Sequence, residues 1–140
     1  MKSFIESQFT YCPLIWMFCS RSMNNRINRL HERALRIVYN DYANSFESLL
    51  VKDGSVTIHN RNIQRVALEM YKIRNGLAPD FICDLFVKNQ MPTRSDFIRP
   101  KMRTTAYGKN SFATFGTIVW DKMLPSDIKS LENITAFKKF

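Results

Sequence analysis

With 140 residues, 45% hydrophobic and 13% aromatic, the chain has enough apolar surface for a packed core, which excludes a disordered segment and allows one domain or two small ones. Its net charge of +9 favours nucleic acid or an anionic surface as partner. The excess lies at the ends: residues 1–44 hold six basic and three acidic residues, 45–90 six and five, 91–140 nine and four.

Residues 3–10 have a helical pattern with Phe4, Ile5 and Phe9 apolar, and start without a cap, which leads to the expectation of a chain cut from a longer one. Pro13 disfavours helical geometry at Cys12 and predicts a break. Residues 22–39 then carry two stripes. Met23, Ile27, Leu30, Ala34 and Ile37 recur at the spacing of an apolar helix face, expected to be the buried one. Arg26, Arg29, Arg33 and Arg36 recur on an adjacent arc, with Glu32 the one acid in the segment. Ser22 is the expected N-cap. Residues 40–44 form a loop, and Ser45 caps a short helix over 46–51 that Asp53-Gly54 ends.

Thr57 or a neighbour opens a longer helix to about Asn75, with Gly76 at its C′ position. Its apolar face is Ile63, Val66, Ala67, Met70 and Ile73; Arg61, Arg65 and Lys72 fall opposite, a weaker basic stripe. Pro79 suits the start of a short helix over 80–86, in which Asp80 and Asp84 lie one turn apart at the surface. Residues 88–109 lack helical periodicity; with Arg94, Arg99, Lys101, Arg103 and Lys109 against Asp96 alone they are expected to form an extended basic arm. Residues 111–120 fit a strand or a helix equally, 126–131 one more turn, and Thr135 the cap of a last helix beginning at Ala136.

Catalytic signatures are missing. No Asp-Asp pair occurs, the four glycines (54, 76, 108, 116) make no phosphate-cradling loop, and no Gly-x-Ser-x-Gly elbow exists. His31 and His59 have no evident nucleophile partner and fit packing or capping. Cys12, Cys19 and Cys83 include no Cys-x-x-Cys pair, so no metal or other cofactor is expected, and their low odd count fits a reducing, intracellular compartment, nuclear or cytoplasmic. The apolar run 12–19 is too short to cross a bilayer, and neither a membrane nor a small-molecule substrate is expected as partner. Binding remains. Aligned guanidinium groups bridge phosphate oxygens bidentately, and Tyr11, Trp16, Tyr39 and Tyr42 are candidates for stacking, with core packing the better reading of Trp16 and of the three tyrosines.

Phe9-Thr10-Tyr11-Cys12-Pro13-Leu14-Ile15-Trp16, followed by Ile27-Asn28-Arg29-Leu30-His31-Glu32-Arg33-Ala34-Leu35-Arg36-Ile37, resembles the segment after the polymerase palm in reverse transcriptases of non-LTR (LINE-type, jockey-like) retrotransposons. Further pieces keep the order: Ser45-Phe46-x-x-Leu49-Leu50, Met70-Tyr71-Lys72-Ile73-x-Asn75-Gly76-x-x-Pro79, Arg103-Thr104-Thr105, Gly116-x-x-x-Trp120 and Leu124-Pro125-x-x-Ile128-Lys129. The resemblance implies a mainly α fold: a small thumb-like helical bundle over residues 1–76, then an extension over 77–140 with the basic arm and a short mixed C-terminal element. It implies a non-catalytic piece of an RNA-directed DNA polymerase that grips the template–primer backbone, with an upstream palm as possible partner. Arg26, Arg29, Arg33 and Arg36 become candidate backbone contacts, joined by Arg61, Arg65, Arg99, Lys101 and Arg103. The alternative is a scaffold fragment that normally packs on the missing palm through Phe4, Ile15, Trp16 and Phe18.

Overall fold

The computed structural model describes residues 7–11, 17–91, 95–104, 108, 110–131 and 133–138. Among these the protein is mainly helical, as expected; its one β-type pairing is an isolated antiparallel bridge between Lys88 and Phe97. The helices are α1 (Ser7–Thr10), α2 (Arg21–Tyr39), α3 (Phe46–Asp53), α4 (Ile58–Arg74), α5 (Asp80–Cys83), α6 (Phe112–Ile118), α7 (Ser126–Lys129) and α8 (Ile134–Lys138). Two compact units, residues 1–62 and 63–140, meet inside α4. Gly76, the boundary expected from sequence, lies just beyond the end of that helix.

In the first unit the caps set the helix limits. Ser20, not Ser22, caps α2: its hydroxyl accepts from the Met23 amide at 3.4 Å, so the helix starts two residues earlier than the apolar pattern indicates. Asn40 closes α2 in the left-handed region (φ 47°), a conformation Asn tolerates because its short polar side chain bonds locally. Ser45 caps α3 by accepting from the Ser48 amide, and Gly54 (φ 63°) ends it as expected, with the helical residues running to Asp53, two past the expected Val51. Thr57 opens α4 by accepting from the Asn60 amide.

The buried side of α2 differs from the expected one. His31 and Leu35 are buried; Leu35 joins Leu49 and Leu50 of α3 in one cluster, flanked by Tyr39 and Phe46. The His31 ring stands edge-on to Phe46 at 5.7 Å. Of the five residues expected inside, Met23, Leu30 and Ile37 are 44%, 55% and 70% exposed, and Ile27 and Ala34 are half-buried. The reason is rotational: α3 covers α2 from the His31–Leu35 side, about 100° or more around the helix from Leu30 and Ile37.

The second unit is built on the lower part of α4. Val66, Ala67, Met70 and Ile73 are buried as the sequence pattern requires, Ile63 of the same face is half-buried, and Tyr71 is buried with them. Tyr71 stacks on Phe137 at 4.5 Å and donates its hydroxyl to the Leu131 carbonyl at 2.8 Å, which ties the C-terminal turns to α4. Residues 111–120, open to either reading from sequence, are helix: Ser111 caps α6 by accepting from the Thr114 amide. The helix then widens into a π-type turn over Val119–Met123. Asn133, not Thr135, caps α8: its side chain accepts from the Thr135 amide at 2.8 Å.

Residues 88–109, expected as an arm, are non-helical where described, but their first part is held in the core. Phe97 is 1% exposed and contacts both Phe86 (5.9 Å) and Trp120 (6.2 Å), while Phe112 stands edge-on to Phe86 at 5.4 Å. An aromatic side chain of this size contributes several kcal/mol when buried, enough to hold the segment against its backbone entropy. Pro13, Cys12 and Trp16, with the break and packing assigned to them, lie outside the described residues, as do Phe4, Ile15, Arg94 and Lys109.

Two stability effects follow. A Cβ at Gly116 would lie 2.7 Å from the Met70 sulfur, and Met70 is wholly buried. Gly→Ala inside a helix ordinarily stabilises by about 1 kcal/mol; overpacking costs about 1–3 kcal/mol and is expected to win, so Gly116→Ala should lower the urea midpoint. Asn62 is buried and neither polar atom of its side-chain amide has a hydrogen-bond partner among the described residues. An unsatisfied buried amide costs about 1–3 kcal/mol, so Asn62→Leu should raise the same midpoint, by a shift equivalent to on the order of 1 kcal/mol of unfolding free energy; a lower midpoint would show that the amide is satisfied by water.

Candidate nucleic-acid interface

The nineteen residues of α2 turn the four arginines toward one arc, but the structure divides them into two kinds. Arg26, Arg29 and Arg33 are exposed, and none forms an ion pair among the described residues. Arg36 is half-buried and fully engaged. Its Nη2 and Nε donate to Glu32 Oε1 at 2.7 and 3.1 Å. Its Nη1 donates to the Tyr42 carbonyl at 2.6 Å and its Nη2 to the Asn44 carbonyl at 3.1 Å. The one acid of the segment therefore neutralises Arg36, and the arginine ties down the loop between α2 and α3. Such charge-assisted bonds are short and stronger than neutral ones.

That loop is held a second time. Asp41 accepts from the Asn44 side chain at 2.7 Å and its backbone amide at 3.2 Å, and pairs with Lys52 at 3.5 Å. The two Asn44 bonds, ahead of the Lys52 charge, hold the Asp41 carboxyl below its ordinary 3.8. Tyr39 donates its hydroxyl to Asp53 at 2.7 Å, and this bond, followed by burial and the Asp53 charge, raises its phenol above 10.0. Tyr39 is thereby occupied, whereas Tyr11 and Tyr42 are exposed beside the helix ends. His31 has gone to packing, as its residue type and position led one to expect.

The other candidates are distributed differently. Arg61 and Arg65 on α4 are half-buried and engaged within the fold. Lys72 beside them pairs with Glu69 at 2.7 Å. Arg99 is exposed with a guanidinium nitrogen 3.9 Å from Asp121. Lys101 and Arg103 are exposed on the non-helical stretch and form no ion pair among the described residues. The open guanidinium groups thus gather on α2, with a separate short basic run at 99–103.

One cluster has no signature in the sequence. Arg74 lies over the Trp120 ring at 5.6 Å, pairs through Nε with Asp96 at 3.3 Å, and donates through Nη1 to the Lys129 carbonyl. Trp120 donates its indole N–H to the same Asp96 oxygen at 2.8 Å. The π-type turn lets Trp120 face inward while Asp121 accepts from Ser95 at 2.7 Å. A cleft of about 360 Å³ opens beside Arg74, lined also by Lys88, Asn89, Ser95 and Asp96. Its cations are already used: Arg74 faces Asp96, and Lys88 donates to the Arg74 carbonyl at 3.0 Å. The cluster therefore holds the 95–99 segment, and the cleft presents little charge to an anion. Only periodicity within a segment is visible in sequence, so a contact between residues more than twenty apart leaves no mark there.

Among the described residues no group of His, Cys, Asp and Glu is placed to hold a metal ion, and no helix is long and apolar enough to cross a membrane. Comparison with known protein families, characterised proteins and solved structures finds no match to this chain.

Two measurements check this division of labour. Arg36→Gln should lower stability by about 1–2 kcal/mol, the worth of partly exposed charge-assisted bonds, whereas Arg33→Gln should leave it nearly unchanged. In a pH series of Tm, the Asp41 contacts should stabilise fully above pH 3.8 and fade as pH falls through the lowered carboxyl value. The Tyr39–Asp53 bond should stabilise below pH 10.0 and be lost as pH rises through the raised phenol value. Asp41→Asn and Tyr39→Phe should each flatten one limb.

Proposed function

We propose that this protein binds the sugar-phosphate backbone of nucleic acid without sequence preference, and that it is a non-catalytic piece of a retrotransposon reverse transcriptase that grips the template–primer duplex. The observation that carries the reading is the row Arg26, Arg29 and Arg33: three exposed guanidinium groups on one face of a capped helix, with no acid paired to them among the described residues. Their planar forks suit phosphate, and a helix packed on its far side fixes the spacing of their backbone positions. Arg36 supports the site by fixing the loop rather than by contacting the ligand. Lys101 and Arg103 extend the basic surface of the second unit and are secondary contacts in this reading. The retroelement origin rests on the order and spacing of the motifs from Phe9 to Lys129.

The test is fluorescence anisotropy of a labelled RNA–DNA hybrid over a series of salt concentrations. Each phosphate neutralised contributes roughly 0.9 to the negative log–log salt slope on a B-form duplex. The triple change Arg26→Gln, Arg29→Gln, Arg33→Gln should therefore reduce the slope by roughly 3 and weaken binding alike for different sequences. Arg36→Gln should leave the slope as it is. An unchanged slope in the folded triple variant would overturn the assignment.

A further inference from the structure

The nucleic-acid reading uses the arginines of α2 but not the apolar row beside them. Met23, Leu30 and Ile37 repeat every seven residues, so they form a straight exposed line along the helix, next to Arg26, Arg29 and Arg33. A solvated face has no reason to keep three large aliphatic side chains in register.

A complementary surface exists on the same chain. Around α5, Phe81 and Leu85 are 71% and 60% exposed, and Asp80 and Asp84 are exposed beside them without ion pairs among the described residues. The turn is continuous over these residues: the Asp84 amide donates to the Asp80 carbonyl at 2.9 Å, and the Leu85 amide to the Ile82 carbonyl at 3.2 Å. The doublets Asp80-Phe81 and Asp84-Leu85 match Arg29-Leu30 and Arg33-Ala34 in spacing, with opposite charge. At 1.5 Å rise per residue both charge pairs are about 6 Å apart along their axes. In each helix the charge precedes the apolar residue by one position. An antiparallel crossing then sets charged edge against charged edge and apolar row against apolar row.

We propose that the α2 face docks the α5 turn of a second copy of this chain, so that copies associate head to tail. Charge complementarity selects this occupant: an α2-to-α2 contact would oppose arginine to arginine, and an α5-to-α5 contact aspartate to aspartate. The interface is heterologous, and a pair of copies keeps one free face of each kind, an α5 turn on one and an α2 face on the other, for growth into rings or short chains. The proposal does not rest on the nucleic-acid reading, but both use Arg29 and Arg33, so self-association and duplex binding exclude one another on a given helix.

The experiment is sedimentation velocity across a concentration series at physiological salt, where a screening length of about 8 Å leaves the close pairs while damping the repulsion between copies of charge +9. The wild type is expected to associate. Arg29→Glu/Arg33→Glu and Asp80→Lys/Asp84→Lys, each folded by circular dichroism, should each be monomeric alone, and their equimolar mixture should associate again, since both contacts are then of opposite sign. Phe81→Ser, a change at an exposed position, should weaken wild-type association independently of charge. A wild type that stays monomeric at the highest soluble concentration, or a mixture that does not associate, overturns the proposal. The Asp80→Lys/Asp84→Lys variant should still bind the RNA–DNA hybrid with an undiminished salt slope, which separates failure of this proposal from failure of the nucleic-acid reading.

Discussion

The contact of Leu35 with Leu49 and Leu50 decides what α2 offers to solvent. A helix has one rotational freedom about its axis, and this contact removes it. With His31 packed against Phe46 on the same side, the arc from Arg29 through Arg33 and Arg26 to Leu30 is turned outward. Burying three leucines and the His31 ring contributes several kcal/mol, far more than any surface preference of the arginines or of Leu30 and Ile37. The apolar residues left outside are the cost of that orientation, and the exposed guanidinium row is its product.

Arg36 shows how one residue type divides by environment. It shares the helical spacing of Arg29 and Arg33, yet Glu32 lies one turn before it and the returning loop brings two carbonyls to it. A guanidinium with that many acceptors is ordered and neutralised, and serves the fold. Its three neighbours have no acceptors among the described residues and keep their full charge for a partner. The same distinction separates Arg74, set between Asp96 and the Trp120 face, from Lys101 and Arg103, which stand in water. In the second unit the half-buried Arg74–Asp96 pair and the buried Phe97 pin the 95–99 segment. Among the described residues, the open arginines of the first unit lie on one helix, and Lys101 and Arg103 form a separate basic run in the second.

What the sequence by itself determined is local. Ser45, Thr57 and Ser111 sit where their hydroxyls cap helices, Gly54 and Gly76 take positive φ where helices end, and the period-3.6 run Val66, Ala67, Met70, Ile73 is buried. These depend on neighbours within four residues, which spacing reveals. The tertiary structure decided which side of α2 is covered, because an amphipathic pattern gives two plausible arcs and only the approach of α3 chooses between them. It moved the caps to Ser20 and Asn133, where competing Ser and Thr residues lay within two positions. It also turned part of the expected arm into core, since Phe97 has its partners, Phe86 and Trp120, eleven and more residues away in sequence. Four arginines are one stripe in the sequence; which of them face water and which hold the chain together depends on acceptors that only folding brings within reach.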